Sequence, residues 1–386
     1  MKLSFILLVF CVGMFILSAG TLPVQAQLQP QPDTHQEEIQ REEYYRGRVL
    51  EVHNLTHQTD FASLEQVARV EITGGPYQGE VVTVDNYYDE RNARLNIKLE
   101  EGQRVILVAF FHEDEVNFYL QDLARDRSLI FLLVIFIALL LIIGARQGLK
   151  TILTLGLTGL LVIKVMFPLL LAGYSPVPVA ALISVVIIFT ILLIIGGFNR
   201  KSLAAIVGTS AGVLVAGVLA LYAGNAAHLT GFIGEEAQML LLGDADFDIQ
   251  GLLFAGIIIG SLGAVTDVGM SIASAAEQIK AANPQISFSE LTWAALNVGR
   301  DIMGTMANTL ILAYAGGAIH LLLLLMRFEN SWLKIINLDF MATEVVRGLA
   351  GSIGLLVSIP VTAFIAGILF INRGTEDIEE NPIRLT

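Results

Sequence analysis

Asp267 sits inside a long apolar run, and Ser271 and Ser274 follow it at offsets of four and three. That spacing puts a carboxylate and two hydroxyls on one face of a helix. Downstream, Asn297, Asp301, Thr305, Asn308 and Thr309 succeed one another at steps of four, four, three and one, with Arg300 beside Asp301. They form a second polar stripe. Ionisable and amide side chains are costly at such depth unless paired or wetted, and an intramembrane charge is by default a functional candidate. The chemistry they offer is cation or proton handling: Asp267 accepts the cation or proton, Asp301 shares it, and Thr305 and Asn308 add neutral oxygen ligands. The same residues also admit an interhelical salt bridge between Arg300 and one aspartate, with hydroxyls and amides as packing glue. A third use is aspartyl hydrolysis, in which two carboxylates share a proton and activate water. Neither a Tyr-Asp nor a Gly-x-Gly-Asp pattern accompanies the aspartates, however, and Arg300 favours an ionised Asp301. Phosphate-binding loops, nucleophile elbows and zinc-protease motifs are missing too. The expectation is a protein that is not an enzyme and needs no cofactor.

Several elements must position these stripes. Apolar runs lie near Leu129 to Ala145, Thr151 to Leu171, Val177 to Gly197, Leu203 to Tyr222, Ile249 to Ala273, Ile302 to Met326 and Leu349 to Ile371. Each is long enough to cross a hydrocarbon core about 30 Å thick, which predicts about seven spans. Asn283-Pro284 breaks the chain between the two stripes, and Ser287 with Glu290 fits a capping box that restarts a helix. Asp267 and Asp301 are then expected at similar depth, toward the inner side of the fifth and sixth spans. Lys164, beside Pro168, reads as a structural lysine that snorkels to the interface. Gly256 with Gly260, and Gly208 with Gly212, are small residues four apart that let helices approach closely.

Composition sets the solvent. Apolar residues make up 54% of the chain and charged ones 15%, a surplus that has to be buried in lipid. A formal charge of -13 excludes nucleic acid as a partner, because no basic patch is left to neutralise phosphates. The single cysteine, Cys11, lies in an N-terminal segment that reads as a secretory signal: Lys2, an apolar core from Leu3 to Leu17, and a small-x-small site at Val24-Gln25-Ala26. An uncleaved anchor is the alternative. The division expected is a signal peptide over 1–26, a disordered linker over 27–43, an extracytoplasmic β domain over 44–120, the helical membrane domain over 121–372 and a cytoplasmic tail over 373–386.

In the outer domain the expected strands are Gly47 to Val52, Ala68 to Thr73, Glu80 to Val84, Arg94 to Leu99 and Val105 to Phe111, arranged as a small barrel or sandwich, OB-like among the choices. Asp85, Asp89 and Glu90 read as calcium ligands or as solvated turn acids, and lack the register of a dedicated loop. His53 and His57 lack the third ligand a metal site needs. Arg146, Lys150, Arg200, Lys201, Lys280, Arg300, Arg373 and Arg384 fall in loops on one side, which places the β domain outside and the C-terminus in the cytoplasm. The loop Ala223 to Asp248 is then outside, and its acids Glu235, Glu236, Asp244, Asp246 and Asp248 either gather cations or keep it wet. The fold class is a mainly α polytopic membrane protein with a small N-terminal extracytoplasmic all-β domain.

Three stretches carry a resemblance: Gly263-Ala264-Val265-Thr266-Asp267-Val268-Gly269-Met270-Ser271-Ile272-Ala273-Ser274, Asn297-Val298-Gly299-Arg300-Asp301-Ile302-Met303-Gly304-Thr305-Met306, and Asn308-Thr309-Leu310-Ile311-Leu312-Ala313-Tyr314-Ala315-Gly316-Gly317. They resemble the signature of the YibE/F-like family of bacterial multispan membrane proteins, as does Asp122-Leu123-Ala124-Arg125-Asp126-Arg127-Ser128, and the likeness runs from Tyr44 to Ile371. The resemblance implies the architecture and a bacterial cell membrane, and leaves mechanism to the residues. Two functions stay open. One is a permease or secondary transporter of a small solute, proton or cation, working at the polar centre between the fifth and sixth spans. The other is a membrane scaffold or accessory subunit whose β domain binds an envelope protein.

Overall fold

The computed structural model describes residues 42–55, 64–88, 97–112, 115–232, 237, 239–240, 247–327 and 331–371. The signal segment with Cys11, most of the linker, His57, Asp89, Glu90, Glu235, Glu236, Asp244, Asp246 and the tail with Arg373 and Arg384 lie outside the described residues. The chain divides into two compact units, one within Val24–Leu139 and one containing Leu140–Thr386.

The first unit is an antiparallel half-barrel of β1 (Glu42–Leu55), β2 (Leu64–Ile72), β3 (Val81–Tyr88), β4 (Arg104–His112) and β5 (Glu115–Leu123). The strand order is β3-β2-β1-β4-β5, so the long β1 belongs to both walls, and the sheet curls until β3 and β5 touch. Alternation places Tyr45, Val49, Ala68, Val70, Ile72, Val105 and Leu107 inside. A bulge between Val49 and Glu51 bends β1 as it passes from one wall to the other. Tyr45, Tyr77 and Phe118 meet edge to face at 5.5–5.9 Å.

Two details differ from the sequence expectation. Glu115–Leu123 is a strand, polar at its C-terminal end and therefore inconspicuous, yet Val116, Phe118 and Leu120 alternate onto the core. The run Arg94 to Leu99 is a strand nowhere among its described residues, which begin at Ile97. Buried Gln66 bonds both the amide and the carbonyl of Leu99, at 2.9 and 3.1 Å, and Asn86 donates to the carbonyl of Ile97 at 2.6 Å. Side chains of β2 and β3 thus take the place of a ladder, and the two amides also bond each other at 2.9 Å, so the buried polar groups are satisfied.

The helices are α1 (Asp126–Leu161), a π-helical turn (Val162–Met166), α2 (Phe167–Leu171), α3 (Pro176–Gly196), α4 (Arg200–Ala226), α5 (Ile249–Ala282), α6 (Phe288–Gly317), α7 (Ile319–Arg327), α8 (Trp332–Ile336) and α9 (Asp339–Ile371). Among the described residues five helices are long and apolar enough to cross a membrane, or six if α6 and α7, bent by 62°, count as one span. That tally takes the 46 residues from Asp126 to Leu171 as one helix. Straight, it would be about 70 Å long, over twice a hydrocarbon core. It is not straight: Ala145 has φ 44° and ψ -118°, and the carbonyl of Leu140 occupies the place where a Cβ on Gly148 would lie. Chain reversal at an alanine is strained, because a side chain resists positive φ. Ala145→Gly is expected to stabilise the protein by about 1 kcal/mol, read as a higher melting midpoint in detergent, and Ala145→Val to lower it.

The second unit is a bundle of α3, α4, α5, α6 and α9. Its closest contact is α4 against α9, which run antiparallel with Gly208 on Thr362, Gly212 on Ser358, and Ala216 on Gly354. Of the small-residue pairs read from the sequence, Gly208 and Gly212 serve as expected. Gly260 meets the Tyr314 hydroxyl, whereas Gly256 faces open space. One end of the bundle gathers cations: Lys150 donates to the carbonyl of Ile195, Arg200 to that of Leu369, and Lys201 pairs with Glu277 at 3.0 Å. Lys150 and Arg200 thereby sit on helix C-termini, where the carbonyl ends favour positive charge.

Candidate functional site

The capping box at Ser287 and Glu290 starts α6 as the sequence predicts. Contacts between Gly260 and Tyr314, and between Ile272 and Gly299, fix α5 and α6 antiparallel. In that register Ser271 is level with Asp301 and Asp267 with Thr305. The two carboxylates therefore lie at similar depth, about one turn, or about 5 Å, apart.

Each stripe points away from the bundle interior. Asp267 and Ser271 are exposed on α5, along with Gly256, Gly260 and Gly263, while their neighbours Val265, Val268 and Ile272 are fully buried. Asn297, Arg300, Asp301, Thr305, Asn308 and Thr309 are all exposed on α6, and Ser274 is half-buried. Arg300 donates to Asn297 Oδ1 at 3.3 Å and lies over the Trp293 ring at 5.1 Å. Among the described residues no ion pair or hydrogen bond engages the side chain of Asp267 or Asp301, so the salt bridge offered above as the alternative is not formed. Thr305 and Thr309 return their hydroxyl protons to helix carbonyls at 2.8 Å, which leaves their oxygen lone pairs directed outward.

The interior of the bundle is closed by small hydroxylated residues. Thr209, Ser261, Thr266 and Ser358 are buried, and each donates to a carbonyl three or four residues back. None of these sites carries a charge.

Lys164 is exposed in the π-helical turn that precedes Pro168, where the missing proline N–H disrupts regular pairing. A polar group overlooked in the sequence lies on α9. Glu344 and Arg347 pair at 2.8 Å with only 19% and 27% exposure, and Arg347 lies over the Tyr314 ring at 5.8 Å. Glu344 and Tyr314 border a cleft of about 270 Å³ between α6, α7 and α9, lined also by Leu322, Met341 and Gly348. The signal was a Glu and an Arg three residues apart at the head of an apolar helix. Among the described residues no group of three or more metal-ligating side chains comes together.

Residues 132–372 match the family described as YibE/F-like protein. No curated protein and no solved structure matches the chain. The matched residues begin after the half-barrel, so that unit and Asp122 to Ser128 stand outside the match, unlike the likeness read from Tyr44 onward. They contain the reversal at Ala145, the bundle and both polar stripes. The long apolar helices fit a membrane protein, and with well over half of its length matched the chain belongs to the YibE/F-like family.

Proposed function

We propose that the chain is a permease or secondary transporter of a small solute or ion in a bacterial cytoplasmic membrane, and that its path runs along the polar faces of α5 and α6. The observation that carries this reading is that Asp267 and Asp301 stand exposed, with no ion pair or hydrogen bond to their side chains among the described residues, on long apolar helices. Hydrocarbon does not tolerate such groups, so they face water, a cargo or another protein. Splitting the first helix at Ala145 gives seven spans, with the signal peptide removed, the β half-barrel outside in an OB-like arrangement and the C-terminus in the cytoplasm. The cationic end of the bundle then faces inward, in keeping with the positive-inside rule. Cargo is carried without a chemical step, and no cofactor takes part.

A single chain offers only one wall of such a path. The other wall is a second copy, because Arg300 and Asp301 are adjacent and opposite in charge, and a two-fold axis along the membrane normal sets each against the other. The test is proton and cation flux in proteoliposomes under imposed gradients. Asp267→Asn is expected to cut flux at least about tenfold, as loss of a charge-assisted ligand implies, while the protein stays folded. The second reading is a membrane scaffold or accessory subunit whose β domain binds an envelope protein, and an open polar face able to meet a further membrane protein is compatible with it. Wild-type protein that passes neither protons nor common cations would shift the assignment to that scaffold.

A further inference from the structure

An arginine cluster in the half-barrel unit has no part in the transport reading. Arg46 and Arg48 from β1, Arg104 from β4 and Arg127 from the start of α1 line a cleft of about 530 Å³, with Asp126 and Ile130 on its border. Arg46 is engaged by Asp126 at 2.8 Å. Nearby, Arg125 is taken by Asp122 at 2.6 Å, and this guanidinium holds the Asp122 carboxyl below the usual carboxylate range. Arg48, Arg104 and Arg127 have no acidic partner among the described residues. Arg48 and Arg104 are also direct cross-strand neighbours, and like charges placed so destabilise a sheet. The chain as a whole is acidic by 13 charges, so three unpaired arginines around one cleft run against its composition. Their repulsion is relieved by an anion with several oxygens, and the planar guanidinium fork matches phosphate geometry.

We infer that this cleft binds a phosphate group. Its border suits one carried on a lipid, because Ile130 belongs to the exposed apolar stretch that runs from Leu129 through Phe131, Leu132 and Leu133. At that point the chain passes from polar to hydrocarbon-compatible, the level at which headgroup phosphates lie. A soluble phosphate offers the same oxygens without the tail.

The test uses the full chain in detergent, titrated with phosphatidylglycerol, with inorganic phosphate, and with chloride at equal ionic strength. Arg48→Gln combined with Arg104→Gln is expected to weaken phosphatidylglycerol binding about tenfold or more. Arg69→Gln, which removes a partner of Glu51 elsewhere on the sheet, is expected to leave it unchanged. Binding of phosphatidylglycerol alone assigns the site to a headgroup; equal protection by inorganic phosphate assigns it to a free anion, and both uphold the phosphate site. Without anion the double variant is expected to melt at or above the wild type, since a repulsive pair has gone. A double variant that binds as tightly as the wild type, a wild type that binds neither anion, or a variant that melts lower without anion would each overturn the assignment.

Discussion

Gly354→Leu is expected to destabilise the bundle by about 3 kcal/mol, the upper part of the range for forcing extra atoms into a packed interior. A Cβ at position 354 would lie 2.6 Å from the carbonyl oxygen of Gly212 and 2.7 Å from the Ala216 Cβ, and one at position 212 would lie 2.6 Å from the carbonyl oxygen of Gly354. Backbone meets backbone here, so no rotamer change relieves the clash. The helices α4 and α9 must separate, and contact is lost along their whole crossing. In lipid that loss is not offset by a hydrophobic drive, since tails are as apolar as side chains and association depends on close packing. The measurement is the unfolding midpoint in detergent. Gly156→Leu is the control, because a Cβ there meets nothing within 4 Å, and it is expected to shift stability by no more than about 1 kcal/mol. Equal midpoints for Gly354→Leu and the wild type would remove this crossing from the account of the fold.

The crossing shows which parts of the fold a sequence exposes. Gly208 and Gly212 announce a close contact by their spacing, but nothing local identifies Gly354 and Ser358, far along the chain, as what they touch. Gly256 and Gly260 have the same spacing, and only Gly260 is used. Spacing tells that a face is smooth and leaves open what faces it. The apolar runs were legible because length and hydropathy are properties of a segment alone. So was the break between the first two runs, marked by Arg146 and Lys150, although its positive φ at an alanine was not. In the half-barrel, Gln66 and Asn86 were silent because their role is to bond Leu99 and Ile97 across the sheet, a long-range fact. The polar stripes were readable as stripes, yet the direction they face depends on how α5 and α6 pack against α3, α4 and α9.

That outward direction leads to the second large effect. Two copies in one membrane with the same orientation keep every residue at its own depth under a two-fold axis. Arg300 and Asp301 differ by one residue, about 1.5 Å in rise, so Arg300 of one copy comes level with Asp301 of the other. Asp301→Arg sets like charges across that contact and is expected to cost about 3 kcal/mol of association, roughly a hundredfold, the lower end for breaking a desolvated pair. Arg300→Asp combined with Asp301→Arg exchanges the two charges and is expected to recover most of the association, an outcome that mere loss of folding does not give. Association is read by energy transfer between labelled copies in bilayers, and by cross-linking of Asn308→Cys, for which Cys11 is the only cysteine already in the sequence. If the exchanged variant stays as weak as the single one, Arg300 and Asp301 do not meet across copies and the second wall of the path must come from another protein. If association behaves as expected while flux is absent from every form, the interface stands and the transport reading falls, so the two claims can fail separately.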